Sequence, residues 1–362
     1  MIFSPGTWKS RISVYFTHYH LTERKTPHKR ASYTQLNPKG NQSVMKAAIV
    51  QGAGQSPVYG EFSEPQPREG ECRVSVTAAA MSHVVKSRAS GAHYSSTGHF
   101  PFVAGIDGTG RLDDGRRVYF VLPSAPHGSM AECTVVATTQ CVALPDELDD
   151  MTAAAIANPG MSSWAAYTER ARLRSGETVL VNGATGTSGR LAVQIARQLG
   201  AKKIIATGRN REALKSLAAL GADVTIELSA DGRALEGAFK EQFATGVDVV
   251  IDYLWGQSAE RLLIAAAKAG PDAIPIRFVQ VGSVSGPEIA LPSAVLRSSA
   301  IELMGSGIGS IPLDRMVHAI GELLCAAVPG GFRIATTPVP LSEVERAWPE
   351  DDSTRRTVFT MG

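Results

Sequence analysis

Apolar and polar positions along this chain fall into two regimes. From Met45 to Val136 the apolar residues come in short runs: Met45 to Val50 opens the series, and Cys72 to Ala78 alternates apolar and polar positions as a half-buried strand does. Runs at Val103 to Leu112, Arg117 to Leu122 and Met130 to Val136 follow, separated by turn-like Asp113, Asp114, Gly115 and Pro126, His127, Gly128. Short strands punctuated by glycine predict a barrel-like β-domain. Near Met151 the pattern changes. Ala-rich segments through Ala155 and from Ala166 to Ala171 predict helices that flank a break at Asn158, Pro159 and Gly160. From Glu177 onward β-branched runs alternate with helical ones: Thr178 to Val181, Leu191 to Leu199, Ile204 to Thr207 and Glu212 to Leu220. Val224 to Ile226, Val247 to Ile251, Ser258 to Lys268, Phe278 to Val281 and Ile301 to Met304 continue the series. That succession predicts a parallel, doubly wound α/β sheet. A helix from Leu313 to Cys325 and a run at Thr357, Val358 and Phe359 lie beyond the sheet and are expected to pack back on the first domain.

A chain of 362 residues has room for two such cores. Hydrophobic residues make up 44% and charged residues 19%, which describes a soluble globular protein. The longest apolar run, Val247 to Leu254, is interrupted by Asp248 and Asp252, so no membrane span is expected. Charge is uneven. The first 44 residues carry a net +6 and the remainder a net −4, so no nucleic-acid surface is expected on the body. Those 44 residues lack any apolar period. They read as a disordered extension, as a stretch upstream of a start at Met45 or, being basic and acid-poor, as a mitochondrial presequence. Cys72, Cys133, Cys141 and Cys325 form no CxxC pair, so neither a zinc ribbon nor a disulfide framework is predicted, and a reducing, cytoplasmic compartment is expected.

The chemistry starts at the turn Gly183, Ala184, Thr185, Gly186, Thr187, Ser188 and Gly189. A strand enters it, and a helix with Leu191, Ile195 and Leu199 on one face leaves it. That context suits a dinucleotide, whose pyrophosphate is met by backbone N–H groups and the dipole at a helix N-terminus. Where an NAD site offers a carboxylate at the end of the second strand, this chain has Thr207, Gly208, Arg209, Asn210 and Arg211. A guanidinium there pairs with a 2′-phosphate and cannot accept from a ribose hydroxyl, so NADPH is the predicted cofactor.

With these residues in place the chain from Met45 resembles the medium-chain dehydrogenase/reductase superfamily, in its zinc-free quinone-oxidoreductase-like branch. The motifs are Gly105, Ile106, Asp107, Gly108, Thr109, Gly110; Asp114 to Val118; Gly160, Met161, Ser162, Ser163, Trp164; the glycine turn; and Val281, Gly282, Ser283. The resemblance implies a GroES-like β-barrel catalytic domain from residues 45–155 with 312–362, around a Rossmann cofactor domain of residues 156–311. It also implies a homodimer. Zinc-dependent members carry a cysteine and a His-Glu pair where this chain has the region of Ser82 and Ile106 with Asp107, so no metal is expected.

Without a Lewis acid, reduction of a quinone or an α,β-unsaturated carbonyl asks less than alcohol oxidation, because conjugation delocalises the developing charge. The resemblance puts the loop from Ser82 through Tyr94 at the nicotinamide end, with Tyr94 as first candidate proton donor and Ser82 and His83 beside it. It also puts Ser163 and the Val281 to Ser283 turn on the nicotinamide half, and Arg356 toward the phosphates. Tyr253 has no side assigned, since it can cover either the adenosine or the nicotinamide. An enoyl-thioester reductase of fatty-acid or polyketide synthesis, and an NADPH-binding protein without turnover, remain as alternative readings.

Overall fold

The computed structural model describes residues 43–91, 99–229, 231–350 and 355–362. Two sheet systems carry the site. The first is antiparallel except at one edge. It comprises β1 (Val44–Val50), β2 (Val58–Ser63), β3 (Glu71–Ala80), β4 (Phe102–Val103), β5 (Asp107–Leu112), β6 (Arg117–Val121), β7 (Cys133–Ala137) and β8 (Cys141–Ala143). Strands β1, β2 and β4 form a small sheet, and β3 leads a larger one toward β5, β6 and β8, with β7 on its other side. The expected single run Val103 to Leu112 is divided between β4 and β5. A register shift between Val76 and Ala78 bulges β3, and Gly110 lets β5 approach, since a Cβ there would lie 2.3 Å from the Ser75 carbonyl oxygen. Between β3 and β4 the residues His83–Ala89 form helix α1, where a loop was expected. Ser82 caps it by accepting from the Val85 N–H at 3.2 Å.

Helix α2 (Asp150–Ala165) corrects a second expectation. It runs straight through Asn158, Pro159 and Gly160. Proline inside a helix forfeits one backbone hydrogen bond, and packing compensates: Gly160 lies so close to helix α8 (Leu313–Ala327) that a Cβ would meet the Leu323 side chain at 2.7 Å. The hydroxyls of Ser162 and Ser163 donate to the Pro159 carbonyl at 2.7 and 3.3 Å. The expected junction at residues 155 and 156 therefore falls within a continuous helix.

The second system is parallel throughout, with β9 (Thr178–Asn182), β10 (Lys203–Gly208), β11 (Val224–Glu227), β12 (Val249–Asp252), β13 (Ile276–Gln280) and β14 (Ile301–Gly305). Their spatial order is β11-β10-β9-β12-β13-β14, a Rossmann-like arrangement that reverses direction between β9 and β12. Every residue of β9 is buried, as a strand covered on both faces requires. Helix α3 (Thr187–Gln198) buries Leu191, Ala192, Val193, Ile195 and Ala196 against the sheet. The expected helix Glu212 to Leu220 is shorter, as α4 (Arg211–Lys215) with a 3-10 turn at Ala218–Leu220. A helix the periodicity did not predict, α5 (Gly232–Ala244), packs Phe239 and Phe243 in the core with α6 (Gly256–Ala269). Helix α7 (Ser293–Arg297) precedes β14, and α9 (Val344–Ala347) follows β15 (Thr336–Pro340). The last strand, β16 (Arg356–Thr360), pairs β15 in parallel and β3 antiparallel, which returns the chain end to the first sheet system. Among the described residues no helix is long and apolar enough to cross a membrane.

Candidate active site

The glycine turn sits where the strand order reverses, and each of its glycines does a different job. Gly183 has φ +87°, and a Cβ there would lie 2.8 Å from the Leu254 side chain. Gly189 lets α3 press on the strand end, since its Cβ would meet the Gly183 carbonyl oxygen at 2.3 Å. Gly186 differs, because a Cβ there would meet nothing within 4 Å. It is the N-cap of α3, and no side chain caps that helix. The first-turn N–H groups have no intrahelical partner and stand at the positive end of the helix dipole, next to the open space at Gly186.

A buried polar network ties the strand ends beneath this turn. Thr207 donates from Oγ1 to the Asn182 Oδ1 at 2.6 Å and accepts from the Gly183 N–H at 3.1 Å. The Asn182 Nδ2 donates to Asp252 Oδ1 at 2.8 Å and to Ser258 at 3.0 Å. Asp252 also accepts from the N–H groups of Leu254 and Trp255. Burial pushes its carboxyl up, and those donors pull it back. Thr207, Asn182 and Asp252 are fully buried, so the cluster fixes β9, β10 and β12 in register at their carboxyl ends. Sequence reasoning assigned no part to Asn182 or Asp252; their signal was a polar residue closing each of two apolar strands.

On the other side of the turn, Ser163 of α2 approaches the Ser188 carbonyl at 3.3 Å and the Tyr253 hydroxyl at 2.6 Å. Burial lifts the Tyr253 phenol to about 12. The N–H groups of Val281 and Gly282 donate to the Asp252 carbonyl, and a Cβ on Gly282 would lie 2.7 Å from the Tyr253 carbonyl oxygen. Thr207, the glycine turn, Ser163, Tyr253 and the Val281–Ser283 turn therefore form one contiguous patch, and Tyr253 stands on the Ser163 side of it. An open cavity of about 420 Å³ borders Ser283, with Trp255, Gln280 and Gly305 in its wall.

At the end of β10 the two arginines separate. Arg211 pairs with Glu227 at 2.8 Å, and Asn210 caps α4 by accepting from the Ala213 N–H. The Arg209 side chain is exposed and makes no ion pair among the described residues. Arg190, which sequence reasoning passed over, lies against the same turn, with Nε donating to the Thr185 carbonyl at 3.0 Å and Nη1 to Ser216 at 3.1 Å.

Arg356 lies buried on β16. It faces Asp107 of β5, whose carboxylate accepts from the Tyr119 hydroxyl at 2.7 Å and from Asn158 of α2. Burial raises the Asp107 carboxyl and lowers the Arg356 guanidinium, while their opposite charges act against both shifts. The Arg356 Nε and Nη2 have no hydrogen-bond partner among the described residues. Those buried donors face the Asp107 and Tyr119 pair, and no contact among the described residues links them to the glycine turn. The uncapped α3 N-terminus and the open space at Gly186 fit a pyrophosphate group.

The remaining candidates are dispersed. Ser82 and His83 begin α1, where His83 is exposed on a helix and not in a loop, and Tyr94 lies outside the described residues. No group of three or more metal-ligating side chains occurs among the described residues.

Comparison with known proteins bears on this arrangement. A family model described as zinc-binding dehydrogenase matches residues 189–323. A probable NADPH-dependent quinone reductase of Emericella nidulans is 30% identical over 357 aligned positions, which span 85% of this chain and 98% of the relative. The chain belongs to the medium-chain dehydrogenase/reductase superfamily. Within that superfamily of oxidoreductases it falls in the quinone-oxidoreductase-like branch. The quinone oxidoreductase of Thermus thermophilus, solved also with NADPH, superposes with a TM-score of 0.71 at 25% identity, covering 87% of this chain and all of that one. A mycocerosic acid synthase-like polyketide synthase of Mycobacterium tuberculosis is 29% identical over 62% of this chain, but the match spans 10% of the synthase.

Proposed function

We propose that the protein is an NADPH-dependent oxidoreductase that reduces a quinone or an α,β-unsaturated carbonyl without a catalytic metal. The observation that carries the reading is the end of β10: Arg209 stands exposed without an ion pair among the described residues, while Glu227 is engaged by Arg211 and Ser229 and Glu212 by Lys215. The relatives named for NADPH and quinone support it. Residues Gly183 to Gly189, Thr207 to Asn210, Val281 to Ser283 and Ser163 would hold the cofactor, while Arg356 is buried against Asp107. When bound, it supplies a hydride from its nicotinamide.

The chain's own groups do the rest. The α3 N-terminus neutralises phosphate charge. Tyr253 fixes the Ser163 hydroxyl, and both side chains are buried at what would be the nicotinamide end. Proton delivery to the reduced substrate falls to Tyr94, with Ser82 and His83 as the further candidates. The Ser82 oxygen accepts from Val85, which leaves its hydrogen free to point outward.

The domain division follows the same reading, with residues 45–155 and 312–362 forming the substrate-binding part and residues 156–311 the cofactor part. Strand β14 ends the parallel sheet, its outer edge unpaired among the described residues, and Leu303 and Ile308 are exposed there and just beyond it. A second copy pairing along that edge makes a homodimer. Four free cysteines suit a cytoplasmic, reducing compartment.

The test is a panel of quinones, short enones and enoyl thioesters offered to the purified chain from Met45 with NADPH, following cofactor absorbance. Oxidation with quinones or enones is expected. Turnover confined to enoyl thioesters supports the second reading, which the polyketide synthase match favours. Tight NADPH binding with no turnover on any member refutes both. A Tyr94→Phe variant is expected to lose turnover and keep NADPH affinity.

A further inference from the structure

Away from the cofactor network two sulfurs meet. Cys72 lies near the start of β3 and Cys141 opens β8, 69 residues later, and their Sγ atoms are 3.5 Å apart. The two strands are not hydrogen-bonded neighbours, because β5 and β6 stand between them in the sheet. Both thiols are half-buried at the rim of a core cluster of Val74, Val76, Val118, Phe120 and Val136. The contact thus spans the barrel end across its interior. A disulfide needs its sulfurs about 2.05 Å apart, and side-chain rotation alone can close much of that gap. The other two cysteines are placed differently. Cys133 is buried against Arg73 and Met45, and Cys325 is exposed on α8.

We propose that Cys72 and Cys141 form a redox-responsive dithiol that closes to an intramolecular disulfide on exposure to a peroxide. Burial and the adjacent Cys72 lift the Cys141 thiol to about 12, so it stays protonated at neutral pH. Cys141 serves as the resolving thiol, and Cys72 as the sulfur that meets the oxidant. Its thiol gives a proton to water, and the thiolate attacks one peroxide oxygen. The O–O bond breaks, and the departing hydroxide takes up a proton to leave as water, with Cys72 as the sulfenic acid. The Cys141 sulfur then attacks the Cys72 sulfur. The S–S bond forms as the S–O bond breaks, and the leaving hydroxide takes the Cys141 proton. Two thiols are oxidised by two electrons in all, and one peroxide is reduced to two waters.

The crosslink ties β3 to the strand that leads into α2, the helix carrying Ser163. Its chemistry does not depend on the proposed cofactor or substrate. The experiment treats the reduced full chain with hydrogen peroxide, alkylates it under denaturing conditions and maps tryptic peptides by mass spectrometry. Two of the four thiols should escape alkylation in a monomeric product that thiol reductant reverses. The peptide of residues 69–73 should be joined to that of residues 118–170, with fragmentation placing the bond at Cys141 and not at Cys133. A Cys325→Ser variant should keep the link. Cys141→Ser should lose it and leave a Cys72 sulfenic acid that a 1,3-dione traps. Four alkylatable thiols after treatment, a bond to Cys133 or Cys325, or a link that survives Cys141→Ser overturns the proposal.

Discussion

Replacing Gly186 with alanine separates cofactor space from packing. The residue sits at φ −78°, which alanine adopts without strain, and its Cβ would meet no atom within 4 Å. Unliganded stability should shift by no more than about 1 kcal/mol, because the gain of about 0.4–1 kcal/mol from a less flexible unfolded chain opposes the poorer helix cap. Binding responds differently, since the methyl group projects into the open space next to the first-turn N–H groups of α3. A backbone N–H to a charged oxygen contributes about 1.5–3 kcal/mol, so losing one weakens NADPH binding by about 10- to 150-fold. Gly189→Ala is the contrast. Its Cβ would lie 2.3 Å from the Gly183 carbonyl oxygen and 2.6 Å from the Ala184 Cα, so α3 must shift off the strand at a cost of about 1–3 kcal/mol to the fold itself. The assay is titration of each variant with NADPH by nicotinamide fluorescence, alongside thermal unfolding without cofactor. A folded Gly186→Ala protein that binds NADPH within about threefold of the parent refutes the placement of the pyrophosphate there.

Arg209→Asp should lower the preference for NADPH over NADH by about tenfold or more, the value of one charge-assisted hydrogen bond; an unchanged ratio of kcat/KM for the two cofactors contradicts the assignment. Tyr253→Phe removes the 2.6 Å partner of Ser163 and should cost about 1 kcal/mol of stability, with kcat falling more than the NADPH affinity; equal losses in both would make it merely structural. Stability should also fall in alkali. The Tyr253 phenol and the Cys141 thiol are both raised by burial to about 12 in the fold. The stability they contribute is intact below their ordinary values of 10.0 and 9.0 and is lost as pH rises from there through 12. An unfolding midpoint that holds level from pH 9 to 12 runs against that.

Much of the fold was legible because period and burial coincide. β9 and α3 have unambiguous patterns, and the strand, turn and helix around Gly183 to Gly189 read correctly for that reason. Helix α2 did not, because Pro159 is a local breaker whose effect is overridden where the neighbouring Gly160 packs against Leu323, a residue 163 positions away that no local rule can see. Helix α1 was hidden by its brevity and by the glycine and serine around it, and α5 by a sparse apolar face. The site divides in the same way. The glycine turn and the missing acid after β10 are sequence-local. Arg209 and Arg211 are two residues apart and look alike until Glu227, brought alongside by the parallel pairing of β10 and β11, claims one of them.

By itself, then, the sequence determined the strand, turn and helix around Gly183 to Gly189 and the preference for a phosphorylated cofactor, because these depend on periodicity and on residues adjacent along the chain. Tertiary structure decided which cation is left without a counter-charge, that Tyr253 meets Ser163, that Arg356 faces Asp107 and that Cys72 touches Cys141. Each of those contacts joins strands or helices distant in the chain, and side-chain chemistry at such distances is set by how sheets and helices pack and not by the local pattern that forms them.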